Sequence, residues 1–164
     1  MSQTEIPTTQ HAIQIVGVDQ VVVNPAKPID PVGPYQLLLQ VEACGICFSD
    51  TKLLHAFDRH PRKGELTGGL SPEQLAEIPS YRPGSDPTVP GHEPVGRVVA
   101  VGDRVSHVAV GDRVLVQADW KHLPTARSNG AFGYNFEGAL QEYVVIDERC
   151  VVSPTGERML LSVA

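Results

Sequence analysis

Apolar and polar positions alternate along several short segments of the chain. From Tyr35 to Ala43 the odd-numbered positions are apolar or aromatic, and polar residues fill the even-numbered positions except at Leu38. A period of two places the apolar side chains on one face, which predicts a half-buried β-strand. His11–Val18 and Val21–Val23 are largely apolar and predict two further strands, separated by a short polar break.

The later part of the chain predicts more strands and long loops. Val95–Val101 and Val114–Ala118 are largely apolar and rich in β-branched residues, and Ala139–Ile146 is the last clear strand signal. Asn24–Pro34, with four prolines and one glycine, and Trp120–Gly138 are expected to be loops. Glycine and proline together make up 29 of the 164 residues. A turn-rich, mainly β fold, either a barrel or a sandwich, is therefore expected rather than a helical bundle.

Helices are expected to be few and short. Ser49 is a good N-cap, so a short helix is predicted to run from there toward His55. The long segment 56–90 is rich in proline, glycine and charge and lacks strand periodicity. Within it, Ser71–Gln74 has the pattern of a capping box with proline at the first helical position, which predicts one short helix inside a long surface excursion.

The acidic balance of the chain excludes several classes of partner. Nineteen acidic and thirteen basic side chains give a net charge of −6, and the bases form no cluster of the kind that binds nucleic acid. Their densest group, Arg59, Arg62 and Lys63, is interpreted as a solvated loop. No apolar run approaches the roughly 20 residues that a membrane span needs. We therefore expect neither nucleic acid nor a membrane as a partner.

The cysteine content favours a reducing compartment. Cys44, Cys47 and Cys150 are too few, and odd in number, for a secreted disulfide framework. The N-terminal segment 1–5 lacks the basic and apolar regions of a signal peptide. A cytoplasmic location is therefore expected, and there cysteines serve as core residues, metal ligands or nucleophiles.

Two short clusters contain the residues most suited to chemistry. Cys44–Asp50 lies where a predicted strand gives way to a predicted helix, and the amides at a helix N-terminus lower the pKa of a thiol. Gly91–Glu93 places an imidazole and a carboxylate side by side at the start of another strand. Sulfur and imidazole are preferred ligands of zinc. The residue types alone leave two interpretations open, a zinc site or small buried cysteines beside an ordinary histidine.

The wording of four motifs closely resembles the zinc-binding medium-chain dehydrogenases, which include alcohol, polyol and threonine dehydrogenases. The motifs are CGICFSD at 44–50, GHEPVG at 91–96, VGDRV at 110–114 and GALQEYVV at 138–145. The resemblance covers about residues 11 to 160, apart from the excursion. It implies a GroES-like fold, a mainly β, partly open barrel with a few short helices. It also implies that residues 1–164 form the catalytic domain, with a loop-rich insertion at about 56–90.

The resemblance also assigns roles to individual side chains. It implies that Cys47, His92 and Glu93 hold one catalytic zinc ion. It implies that Asp50 orients the site and that Ser49 contacts the substrate oxygen and begins the proton relay. The implied activity is oxidation of a small alcohol or polyol to a carbonyl with NAD(P)⁺, in which zinc polarises the substrate oxygen.

The sequence departs from the family pattern in three places. It contains no Gly-x-Gly-x-x-Gly fingerprint, so we expect a chain without its nucleotide-binding domain, either a fragment or a free-standing module, that is inactive alone. The stretch 117–138, where many relatives carry a four-cysteine zinc lobe, has no cysteine, so no structural zinc is expected. The insertion is longer than is common in relatives. His55, His60 and His122 lie in or near possible lid regions, where any of them could complete a site or bind metal, and they are expected to be solvated loop residues.

Three functions remain to be compared. The leading hypothesis is the catalytic part of a zinc dehydrogenase for a small-molecule alcohol or carbonyl, acting as a homo-oligomer or with a separate nucleotide-binding domain. The alternatives are a non-catalytic GroES-like binding or assembly module and a zinc-free, quinone-reductase-like oxidoreductase. The missing fingerprint favours the module. Cys47 and His92 argue against both alternatives, because quinone reductases of this family lack these ligands.

Overall fold

The computed structural model describes residues 5–163 of the protein. Residues 1–4, which belong to the N-terminal segment considered above, and residue 164 lie outside the described residues. The strands are β1 (Thr9–Gly17), β2 (Gln20–Pro28), β3 (Gln36–Gly45), β4 (Glu93–Val101), β5 (Arg113–Val116), β6 (Asp119–Pro124), β7 (Asn129–Ala131), β8 (Tyr143–Asp147) and β9 (Leu160–Ser162). The helices are α1 (Phe48–Ala56), α2 (Pro72–Ala76) and α3 (Glu148–Val151), and two 3₁₀ turns cover Phe57–Arg59 and Pro61–Lys63.

The strands form one larger sheet and two hairpin-like pairs. The larger sheet has the order β8-β3-β4-β5-β9, and all its neighbouring strands are antiparallel. The pairs β1-β2 and β6-β7 are also antiparallel. The sheets do not close into a barrel. The prediction of a mainly β, partly open GroES-like fold is therefore confirmed.

The central strand β3 is buried on both of its faces. Leu37 and Leu39 have no exposed surface and lie in the main core with residues of β4, β5 and β8. Leu38 points the other way and packs in a second cluster with Tyr143 and Val145. The one residue that interrupted the alternation in the sequence is thus apolar because the opposite face of β3 is covered at that point as well.

Two segments expected to be loops contain strands. β2 continues to Pro28, because it pairs only with β1 and its other edge is free to carry residues that lack an N–H donor. Within 120–138 the chain forms β6 and β7, and Trp120 and Leu123 of β6 face the main core. Strands this short contain too few alternating positions to stand out in the sequence.

The insertion is better ordered than its composition suggested. The predicted helix is present as α2, and Ser71 and Gln74 form the expected capping box. Lys63 is fully buried, and its ammonium group donates to the carbonyl oxygens of Arg82 and Asp86. The interpretation of the basic group as a solvated loop is therefore wrong for Lys63, because its side chain joins the two ends of the excursion. Among residues 5–163, no helix has the length and apolar character to cross a membrane.

Candidate metal centre

The first half of the site is built where β3 ends and α1 begins. Cys47 has an extended backbone and is the N-cap of α1, with its sulfur accepting the N–H of Ser49. The carboxylate of Asp50 accepts the N–H of Cys47 at 2.9 Å, which completes a capping box. The expected N-cap, Ser49, is therefore wrong by two positions, because the sulfur itself caps the helix. The hydrogen bond from the Ser49 hydroxyl lowers the pKa of the Cys47 thiol, although burial opposes it.

The second half of the site comes from the turn before β4. Gly91 has a φ of +93°, and a Cβ atom there would lie 2.8 Å from Leu140 and 2.9 Å from the sulfur of Cys44. Only glycine fits this left-handed, crowded position. The turn delivers His92 to the start of α1, where its Nε2 lies 3.2 Å from Sγ of Cys47.

Glu93 completes a group of three potential ligands. Glu93, on β4, pairs with Gly45 on the neighbouring strand β3. A Cβ atom at Gly45 would lie only 2.6 Å from Oε2 of Glu93. The glycine thus leaves room for the carboxylate to lie over the strand. One ligand atom each from Cys47, His92 and Glu93 lie within 4.8 Å of one another.

Asp50 links the two halves of the site. In addition to Cys47, its carboxylate accepts the N–H of Gly91 at 3.2 Å, and Oδ1 lies 3.2 Å from Nδ1 of His92. The carboxylate and the imidazole attract each other at this distance, although they are not aligned for a linear hydrogen bond. Burial alone would raise the pKa of Asp50, but His92 and the two amides lower it. The same carboxylate raises the pKa of His92, against the effect of burial.

The donor set suits zinc. Zinc–sulfur and zinc–nitrogen bonds of about 2.3 and 2.0 Å at a tetrahedral angle hold the two ligand atoms about 3.5 Å apart. The observed separation between Cys47 and His92 is 3.2 Å, which a side-chain adjustment of a few tenths of an ångström would accommodate. Thiolate, imidazole and carboxylate leave a fourth position open for a small oxygen ligand.

Tyr134 also belongs to the site, and no motif in the sequence indicates it. Its side chain is buried, and its ring lies 5.2 Å from that of His92 between centroids. Burial raises the pKa of Tyr134, and the nearby Ser49 hydroxyl opposes this rise. It follows Gly133, whose positive φ and close approach to Gly91 place the β6–β8 connection against the metal turn. The glycine was visible in the sequence, but its contact across about 40 positions was not.

The other candidate residues lie outside the three-residue group. Cys44 is half-buried, and its thiol is directed to the backbone carbonyl of Gly45. Cys150 is fully buried in the main core. His55 is exposed and bonds to Asp19, and His122 approaches the carbonyl oxygen of Arg149 at 3.4 Å.

His60 is half-buried rather than solvated. Its ring stacks on Tyr134 at 5.2 Å, on the ring that also contacts His92. The sequence expectation of a solvated loop histidine is wrong at this position, because the insertion folds back over the connection between β7 and β8.

Comparison with known proteins places these features in a family. A sequence profile of the alcohol dehydrogenase GroES-like domain matches residues 33–155. D-altritol 5-dehydrogenase of Agrobacterium fabrum is 32% identical over 83% of this chain and 36% of its own length. An alcohol dehydrogenase of Moraxella sp. is 30% identical over 73% of this chain and 32% of its own length. The chain thus spans about a third of the curated relatives it matches.

Solved structures agree with this assignment. A protein of Sinorhizobium meliloti 1021 assigned to the zinc-binding dehydrogenases, in a structure with bound NADP, is 25% identical with a TM-score of 0.63, over 96% of this chain and 39% of its own. The 2R,3R-butanediol dehydrogenase of Bacillus subtilis shares the fold at 23% identity and a TM-score of 0.62, over 95% and 41%. The chain belongs to the alcohol dehydrogenase GroES-like domain family.

Proposed function

We propose that this chain is the catalytic portion of a zinc-dependent alcohol or polyol dehydrogenase that oxidises an alcohol to a carbonyl with NAD(P)⁺. Cys47, His92 and Glu93 would hold the metal. The observation that carries the proposal is the approach of their three ligand atoms to within 4.8 Å, although the cysteine lies 45 positions from the histidine. The names of the alcohol and polyol dehydrogenases that the chain resembles support it.

The chain's residues prepare the site for a cation. Zinc, when bound, supplies a Lewis acid that lowers the pKa of an alcohol oxygen or polarises a carbonyl. The position of Cys47 at the first turn of α1, together with the Ser49 hydroxyl, favours the thiolate that binds metal. Asp50 fixes the orientation of the His92 ring, so that Nε2 faces the cysteine sulfur.

Ser49 is placed to move the proton of the substrate. Its Oγ lies 2.9 Å from Nε2 of His92 and also contacts Sγ of Cys47, so a substrate hydroxyl near these ligands is within its reach. Ser49 would accept the hydroxyl proton and pass its own hydroxyl proton to water, which its partly exposed position allows, while a bound nicotinamide would supply the acceptor for the hydride. The nicotinamide itself would be bound by a nucleotide-binding domain, so the isolated chain is expected to be inactive.

Metal binding is the first test, and the two nearby cysteines supply a matched pair of variants. Mass spectrometry should show about one zinc ion per chain. When cobalt replaces zinc, the sulfur-to-cobalt charge-transfer absorption should show the same stoichiometry. Cys47→Ala should weaken zinc binding by more than about 100-fold and remove the absorption, because a ligand is lost. Cys44→Ala, three positions away, should retain both. Equal metal binding by the two variants would refute the ligand assignment.

Catalysis requires a second test in a polypeptide that also carries a nucleotide-binding domain. The rate of NAD(P)H formation from an alcohol should fall in Ser49→Ala while its zinc content stays unchanged, because the serine is assigned to proton transfer and not to metal binding. A chain that binds no metal and instead forms stable rings would point to an assembly module.

A further inference from the structure

A positively charged pocket lies beside the metal centre, on a surface that the mechanism above does not use. The pocket has a volume of about 540 Å³ and is open to solvent. It lies between the last turns of α1 and the first 3₁₀ turn of the insertion. Its lining consists of Lys52, His55, Ala56, Arg59 and His60.

Two cations of this pocket have no carboxylate partner. Within residues 5–163, no carboxylate lies at ion-pair distance from Lys52 or Arg59, although His55 is bonded to one. Nζ of Lys52 lies 5.2 Å from the centre of the Phe48 ring. A further cation, Arg127, donates to the backbone carbonyl of Arg59 and therefore lies at the rim. These cations lie together in a chain whose net charge is −6.

The charges around His60 indicate that the electrostatic potential in the pocket is positive. Burial lowers the pKa of His60, and the charges that act on it are those of Arg62, Lys52 and Arg127, all of which lower it further. Nδ1 of His60 accepts the N–H of Arg62, so the proton of the neutral ring is carried by Nε2. The pocket thus combines two cationic side chains with a neutral N–H donor, the kind of set that binds phosphate and carboxylate.

The pocket is within reach of the metal centre. The ring of His60 stacks on Tyr134 and the ring of Tyr134 on His92, with centroid distances of 5.2 Å in each case. The ring centroids of His60 and His92 are therefore no more than about 10 Å apart. A small molecule with its hydroxyl near Ser49 could place a second group among the cations.

We propose that this pocket binds an anionic group, a phosphate or a carboxylate, carried by the alcohol substrate. This inference rests on the proposed function, because the ligand is a substrate only if the chain belongs to an alcohol dehydrogenase. It narrows the substrate class from alcohols in general to alcohols that bear a negative charge a short distance from the reacting hydroxyl. The same chemistry would bind a phosphate of the nucleotide cofactor, and the experiment separates these two sources.

The test begins with inorganic phosphate and the 164-residue chain without metal. Phosphate titrations are followed by calorimetry and by amide chemical shifts, for the unaltered chain, for the Lys52→Gln/Arg59→Gln variant, and for a control in which the exposed cations Lys121 and Arg104 are changed to glutamine. The pocket variant should bind phosphate about tenfold more weakly, because it loses charge-assisted hydrogen bonds. The control should bind as the unaltered chain does. Equal binding by the pocket variant and the unaltered chain would overturn the assignment.

Competition identifies the source of the anion. Glycerol 3-phosphate represents a phosphorylated alcohol, and adenosine 2′,5′-bisphosphate represents the cofactor. Tighter competition by the phosphorylated alcohol supports the substrate assignment, and tighter competition by the nucleotide overturns it. These measurements need no metal and the zinc measurements do not involve the pocket, so failure of this inference and failure of the proposed function can be told apart.

Discussion

The buried side chain of Lys63 allows a test of how burial of a charge in the insertion affects the stability of the fold. This side chain is fully buried, its ammonium group donates to the carbonyl oxygen of Asp86 at 2.9 Å and to that of Arg82, and it lies 5.6 Å from the centre of the Phe57 ring. Burial lowers the pKa of Lys63 from 10.5 to about 8, and it outweighs the carboxylates of Asp86, Glu137 and Asp58, which raise this pKa, while the charge of Arg82 lowers it further. The charged group is therefore partly uncompensated, in spite of its two carbonyl partners.

The pH dependence of stability follows from this pKa. Between pH 8 and pH 10.5 the unfolded chain holds the Lys63 proton more often than the folded chain does, so the free energy of unfolding rises with pH. A pKa lowered from 10.5 to about 8 corresponds to about 3 kcal/mol over this range. Lys63→Met keeps the volume and removes the titration. The stability of the unaltered chain relative to this variant should therefore increase by about 3 kcal/mol from pH 7 to pH 10.5.

Urea denaturation at several pH values measures this difference. Trp120 is the single tryptophan and is 1% exposed, so its fluorescence reports unfolding of the main core. Lys121→Met, on the exposed side of β6, is the control and should show no such trend. A stability difference that stays level or decreases toward high pH would refute the reasoning, because it would mean that the two carbonyl bonds offset the cost of burying the charge.

Three further predictions concern the site and its support. Asp50→Asn should weaken zinc binding roughly 10- to 100-fold in a chelator competition, because the carboxylate no longer orients His92. Gly138→Ala should lower the free energy of unfolding by about 3 kcal/mol in urea titrations, because its Cβ would lie 2.2 Å from a backbone carbonyl oxygen. Lys27→Met should cost about 3 to 5 kcal/mol, because the buried carboxylate of Glu137, 2.9 Å away, is left without its closest cation.

Matched controls make these predictions decisive. Asp103→Asn, on the surface, should leave zinc affinity unchanged. Gly84→Ala should cost about 1 to 2 kcal/mol, less than Gly138→Ala, because alanine there has only the strain of a φ of +60° and no heavy atom lies within 4 Å of its Cβ. The double change Lys27→Met with Glu137→Leu should recover most of the stability lost by Lys27→Met. Equal effects of a test variant and its control, or no recovery in the double variant, would contradict the corresponding argument.

The strands with strong alternation were predictable because their pattern is local. β3 and β4 lie within one or two residues of the segments expected at Tyr35–Ala43 and Val95–Val101, and α2 begins where its capping box predicts. β6 and β7 were missed, because short strands depend on partners and core contacts that are distant in sequence. The helix at Cys47 was placed two positions late, because serine is the more common N-cap and the sulfur bond is visible only in three dimensions.

For the candidate site, the residue types and their order along the chain were sufficient to identify the chemistry. A thiol before a helix and an imidazole beside a carboxylate are suitable zinc ligands. The motifs that contain these residues are sufficient to indicate the family. Their convergence depends on long-range packing, because Gly91 and Gly45 leave the space in which the N-cap of α1 meets the start of β4. The same is true of Tyr134, whose ring contacts His92 only when distant segments pack together. Local patterns specify what each residue can do, whereas contacts between distant segments depend on the packing of the whole chain.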